Sequence, residues 1–109
     1  MDAVLARKIP DIAALCERYG VSHLELFGSA AGPDFDPESS DYDFLVELDD
    51  RSAGSRGHRW LGLADALEAL LGRPVDLVNP RMIRNPYFLR AINSTRVPIY
   101  DRQDAQAAG

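Results

Sequence analysis

Apolar residues near the start of the chain recur at the spacing of one helix face. Ile12, Leu15, Cys16 and Tyr19 lie three or four apart, which predicts a helix over 10–19. Pro10 suits its first turn, and Gly20 suits the residue just past its end. From Val21 the period changes. Leu24 and Leu26 alternate with His23 and Glu25, predicting a strand over 21–27 that stops at Gly28-Ser29. Residues 30–40, AAGPDFDPESS, read as loop with one helical turn after Ser29. A second strand is predicted over 41–48, DYDFLVEL, with Phe44, Leu45 and Val46 buried on both faces. A polar connection over 49–57 leads to a second long helix, marked by Trp60, Leu63, Ala64, Leu67, Leu70 and Leu71 and closed by Gly72. Val75 to Val78 is a short strand, residues 87–92 a short helix, and 97–100 a last strand that Pro98 places at a sheet edge.

This order implies an α/β (α+β) domain, a small mixed β-sheet with packed helices. The chain of 109 residues is 46% hydrophobic, enough for one domain over 1–109 with frayed ends at 1–8 and 102–109. No apolar run is long enough to span a bilayer, and the N-terminus lacks the pattern of a secretory signal. The single cysteine, Cys16, falls on an apolar helix face and reads as a small buried residue, and the expected compartment is cytoplasmic. The net charge of −5 argues against direct nucleic-acid binding, because an acidic surface does not gather phosphates. It leaves room for a nucleotide held through a divalent metal, which reverses the local field.

The candidate chemistry lies where the strands meet the loops. Asp41 and Asp43 are two residues apart on a predicted strand, so both carboxylates point to one face, with their Cα atoms ~6.6 Å apart. Two like charges at that distance cost roughly 2.5 kcal/mol at an effective dielectric of ~20. A divalent cation between them turns repulsion into attraction, and oxygen ligands in this pattern suit Mg²⁺. Asp76 interrupts the apolar run over 75–78 and completes a three-carboxylate cluster if its strand lies beside the second one. Gly28-Ser29 ends a strand where backbone can approach a ligand closely, and a helical turn starting there would aim free N–H groups at a phosphate. Each piece has a plainer reading. The Asp41–Asp43 pair can be a solvated edge, Asp76 a partner of Arg73 or Arg81, and Gly28-Ser29 a turn. Arg81, Arg84, Arg90 and Arg96 form a basic stretch, either a solvated face or a contact surface for an acidic partner or phosphate.

Taken together, LFGSAAGPDFDPESSDYDFLVEL over 26–48 and RPVDLVNP around Asp76 resemble the signature of the minimal nucleotidyltransferases of the DNA polymerase β-like superfamily. The pattern is Gly-Ser, a loop of about ten residues, Asp-x-Asp followed by apolar residues, and a third Asp on a later strand. The resemblance runs over roughly 21–101. It implies the polymerase β-like fold, Mg²⁺ (one or two ions) held by Asp41, Asp43 and Asp76, and ATP phosphates held at Gly28 and Ser29. It further implies nucleotide transfer by in-line attack on the α-phosphate. Many small members resemble antitoxins of the MntA type, which move AMP from ATP to a tyrosine of a helical HEPN-type toxin. The chain departs from the pattern at Ala30-Ala31-Gly32, where relatives often carry an arginine. Two functions follow as expectations. One is an AMP-transferring enzyme that acts as an antitoxin. The alternative is a catalytically weak or inactive binding module that neutralises its partner by occlusion. Transfer to a small molecule is a third, disfavoured by the absence of a further substrate-gripping domain.

Overall fold

The structure, a computed structural model, describes residues 3–31, 41–50 and 54–103. The elements run α1 (Ala3–Arg7), α2 (Ile9–Tyr19), β1 (Val21–Phe27), a 3₁₀ turn (Gly28–Ala31), β2 (Tyr42–Leu48), α3 (Arg56–Leu71), β3 (Val75–Val78), a 3₁₀ turn (Pro80–Met82), α4 (Pro86–Asn93) and β4 (Val97–Asp101). The strands form one mixed sheet in the order β3-β2-β1-β4. β1 is antiparallel to both β2 and β4, and β3 is parallel to β2. The mixed sheet and the packed helices agree with the expected fold class, and β4 with its Pro98 occupies an edge.

The core lies between one sheet face and helices α1 to α3. Ile12 and Cys16 from α2 and Leu63, Leu67 and Leu71 from α3 pack with Leu24, Leu26, Tyr42, Phe44 and Val46 from the strands. Burial holds the Cys16 thiol high, pushed up to about 12, as a small apolar core residue requires. Gly20 ends α2 at φ +70°, a left-handed cap that glycine adopts without steric penalty. The start of the chain differs from the expected frayed end. Residues 3–7 form α1, and its Leu5 is fully buried, because this short helix closes the core beside α2. Residues 104–109 lie outside the described residues.

The period-2 pattern of β1 breaks once. The register shifts between Val21 and His23, and Ser22 Oγ donates to the Glu47 carbonyl at 3.0 Å. This bulge lets Val21, Leu24 and Leu26 face the core while His23, Glu25 and Phe27 face the other side. On that second face α4 covers only one corner, where Ile92 packs with Phe27 and Leu45.

Arg59 on α3 joins several elements from inside. Its guanidinium donates to the carbonyls of Tyr19 and Gly20 (both 3.3 Å), to Asp49 Oδ1 (3.2 Å) and to the Asp49 carbonyl (2.8 Å). Asp49 also pairs with Arg102. Both terminal guanidinium nitrogens are matched in this way, while the buried Nε has no hydrogen-bond partner among the described residues.

Candidate functional site

Strand register assembles the candidate residues. Phe27 stands opposite Asp43 across β1 and β2, and Asp76 stands beside Asp43 across β2 and β3. Residues in register on adjacent strands project to the same face. Asp43 therefore has Asp76 on one flank and the end of β1 on the other. Beyond Phe27 the chain turns at Gly28, with φ +78°. A Cβ at Gly28 would sit 2.7 Å from Asp43 Oδ2, so only glycine admits the carboxylate there. The Gly28 N–H donates to Thr95 Oγ1 at 3.1 Å, and Thr95 donates in turn to the Ala91 carbonyl at 3.2 Å. The turn after β1 is thus tied to the C-terminal end of α4.

The electrostatics match this geometry. Asp43 is half-buried, and its pKa is raised first by burial, then by the charges of Asp76 and Asp41. Asp41 is exposed, one residue before β2. Asp76 is exposed on the edge strand rather than buried, because β3 has a neighbour on one side only and lies at the rim of the sheet. Tyr42, between the two aspartates, points into the core and is 1% exposed. Among the described residues, no three His, Cys, Asp or Glu side chains form a group close enough to hold a metal by themselves. Mg²⁺ takes one or two carboxylates and completes its shell with phosphate oxygens and water. The donor set at Asp43, Asp41 and Asp76 fits an ion that arrives with a triphosphate better than a closed protein cage.

The 3₁₀ turn over Gly28–Ala31 follows the expectation of one helical turn. The Ser29 side chain, and the acidic loop residues Asp34, Asp36 and Glu38, lie outside the described residues. Ala30 is fully buried in the core, which gives a reason for a small residue there. Arg81 lies 3.7 Å from Glu47, and Arg90 packs over the ring of Tyr87.

Over residues 12–99 the chain matches the model of the nucleotidyltransferase domain. It belongs to that family. The nucleotidyltransferase is 38% identical over 78 residues to a candidate protein adenylyltransferase, MJ1379, of Methanocaldococcus jannaschii. That match covers 72% of this chain and 76% of the relative. Its fold is also that of a solved candidate minimal nucleotidyltransferase. The TM-score is 0.70 at 30% identity, covering 90% of this chain and 96% of the other. A further structure shares the fold at 20% identity and TM-score 0.59, covering 94% of this chain and 77% of that one. It is a complex of a tri-AMPylated HEPN toxin of Shewanella oneidensis with its MNT antitoxin.

Other polar groups of the nucleotidyltransferase were not legible in the sequence. His23 is half-buried. Its Nδ1 lies 3.0 Å from Asp101 Oδ2 and its Nε2 3.2 Å from Glu25 Oε1. Burial alone would lower its pKa, but the hydrogen bonds to Asp101 and Glu25 outweigh burial and raise it. Arg96 donates from Nε to Glu25 Oε2 at 2.6 Å and from Nη1 to Asn93 Oδ1 at 2.9 Å. This network lines a cavity of about 740 Å³ on the open sheet face that does not include Gly28, Asp43 or Asp76. His58, the other histidine, is exposed, and its backbone N–H is capped by Ser55 Oγ at 3.1 Å. Among the described residues, no helix is long and apolar enough to cross a membrane.

Proposed function

We propose that the chain is a protein adenylyltransferase that moves AMP from ATP to a tyrosine hydroxyl of a HEPN-type toxin and so acts as an antitoxin. One observation carries this reading: the register that sets Asp43 between Gly28 and Asp76 at one end of the sheet. The MNT antitoxin found with an AMPylated HEPN toxin shares this fold, and the relative MJ1379 carries the name of a protein adenylyltransferase.

In this reading Gly28 and Ser29 seat the β- and γ-phosphates. The backbone of the 3₁₀ turn comes close to the ligand because no Cβ stands at Gly28. Asp41 and Asp43, with Asp76, would hold Mg²⁺, which supplies Lewis-acid neutralisation of the phosphate charge when bound. Asp76 is exposed and open to an incoming acceptor. It takes the proton of the acceptor hydroxyl as that oxygen attacks the α-phosphorus. The bond from the α-phosphorus to the bridging oxygen of the β-phosphate breaks, and pyrophosphate leaves on the opposite side. Thr95 acts as a positioning residue by holding the Gly28 N–H.

The test uses ATP labelled in turn at the α- and γ-phosphorus, Mg²⁺ and a HEPN-type toxin. Label reaching the toxin from the α-position only, and lost with Asp76→Asn, is the expected result. Label from the γ-position would mean phosphoryl transfer and overturn the reading. Full neutralisation of the toxin by Asp41→Asn and Asp43→Asn variants, without label, would establish the occlusion alternative.

A further inference from the structure

The four arginines over 77–100 are accompanied by no acidic residue, in a chain whose net charge is −5. The remaining residues therefore carry −9, and this stretch is a local basic island. Two of its arginines are engaged: Arg96 with Glu25 and Arg81 with Glu47. Arg84 and Arg90 are exposed, and among the described residues neither forms an ion pair. Between them stand the most exposed large apolar side chains of this region, Tyr87 at 76% and Phe88 at 41%, with Met82 at 76% just before. Exposed aromatic and methionine side chains beside arginines that form no ion pair among the described residues, one of them stacked on Tyr87, are the composition of a protein contact surface rather than of a solvated one.

This patch is anchored to the candidate site. Asn85 Oδ1 caps α4, accepting from the Tyr87 N–H at 2.9 Å. Phe88 packs edge-on against Phe27 with ring centroids 6.2 Å apart. Phe27 precedes Gly28 and pairs in register with Asp43. The far end of α4 leads to Thr95, which holds the Gly28 N–H. A partner seated on Tyr87 and the two arginines would rest beside the rim where Asp43 and Asp76 stand.

We infer that the exposed patch formed by Tyr87, Phe88 and Arg90 of α4, with Met82 and Arg84 from the segment before it, is the docking surface for the acceptor protein, and that it takes an acidic segment bearing aromatic side chains. The inference rests on the transferase reading for what the docked protein is for, but not for the docking itself. Charge complementarity selects the occupant. Acidic side chains of the acceptor meet Arg84 and Arg90, its aromatic side chain meets Tyr87, and the acidic remainder of this chain repels the same segment elsewhere.

The experiment uses a fluorescent random copolymer of glutamate and tyrosine as probe, with binding read by anisotropy on the full chain. The expected result is binding that weakens as salt is raised, with no binding of a lysine–tyrosine copolymer. The double variant Arg84→Glu with Arg90→Glu should weaken binding roughly tenfold, since two exposed charge contacts become repulsions. Tyr87→Ala should weaken it while leaving the salt dependence in place. All three side chains are exposed, so the variants should keep the wild-type circular dichroism and the binding of a fluorescent ATP analogue with Mg²⁺. Equal binding by the charge-reversed variant, preference for the lysine copolymer, or equally tight binding of an oligoadenylate would each overturn the docking surface. AMP incorporation into the copolymer is read separately. Docking without incorporation keeps this surface and counts against the transferase reading. Incorporation indifferent to Arg84 and Arg90 does the reverse.

Discussion

Asp43→Asn should make this protein more stable while destroying its candidate site. Asp43 stands in register beside Asp76, on strands about 4.8 Å apart. Charges about 6 Å apart interact by roughly 2.8 kcal/mol at an effective dielectric of ~20. Asp76 is exposed and Asp43 only half-buried, so solvent and salt reduce that to about 1 kcal/mol. Partial burial of the Asp43 charge adds to it, giving an expected gain of about 1–2 kcal/mol for the neutral amide. For a domain of this size that is an increase in Tm of about 5–10 °C. The pH dependence follows from the raised pKa of Asp43. The folded state holds the proton more tightly than the unfolded chain does. The penalty is therefore absent below the unfolded value, near 4, grows as pH rises to the folded value, and is complete at neutral pH. Urea unfolding of both proteins in low salt with EDTA measures the difference at pH 7, and a series down to pH 4 should show it vanish. Adding Mg²⁺ should narrow the gap by stabilising the wild type alone. A variant less stable than wild type at pH 7 in EDTA would refute the argument, because it would mean that the Asp43 carboxylate is held by favourable contacts rather than by its function.

Other substitutions probe the frame around this group. Gly28→Ala should lower stability by about 1–3 kcal/mol in urea unfolding and abolish nucleotide transfer, since φ is +78° and the new Cβ would meet Asp43 Oδ2 at 2.7 Å. Arg59→Met should destabilise by about 2–4 kcal/mol, because the Tyr19, Gly20 and Asp49 carbonyls lose a donor while the Asp49 carboxylate keeps Arg102; Arg59→Lys should recover little. His23 has a pKa raised on folding, so its contribution to stability is full below its unfolded pKa and is lost as pH rises through the folded one. Wild-type stability should therefore fall with rising pH above about 6, and His23→Gln should flatten that slope; an unchanged slope would remove Glu25 and Asp101 as partners of a protonated imidazole.

Much of this architecture was legible because local pattern and tertiary placement agree. The apolar spacing of α2, ended by Gly20, and the doubly buried Phe44-Leu45-Val46 of β2 are read from chain order alone, and the structure places them as expected. That Asp41 and Asp43 share a face is an expectation from alternation alone, which needs no knowledge of neighbours; the strand itself starts one residue later, at Tyr42. Asp76 is different. Its strand could be assigned from Val75 to Val78, but its position beside Asp43 depends on β3 pairing parallel to β2, a crossover through the whole of α3. Its exposure was not legible either, since an acid in an apolar run looks the same at a sheet edge and at its centre. His23 illustrates a third kind of difficulty. Its partners Asp101 and Glu25 come from the far edge strand and from two residues along its own, and a bulge at Ser22 sets their facing. The buried Arg59 was hidden for the same reason. Its acceptors are backbone carbonyls at Tyr19 and Gly20, and a carbonyl leaves no mark in a sequence.

The central claim, that Asp43 serves a site that moves AMP to a protein, is tested most directly by intact-mass spectrometry. The sample is a HEPN-type toxin after incubation with the chain, ATP and Mg²⁺. The account predicts mass increments of whole AMP units on the toxin, localised to tyrosine, and none with Asp43→Asn. An unmodified toxin in a stable, neutralised complex with the wild-type chain would contradict it.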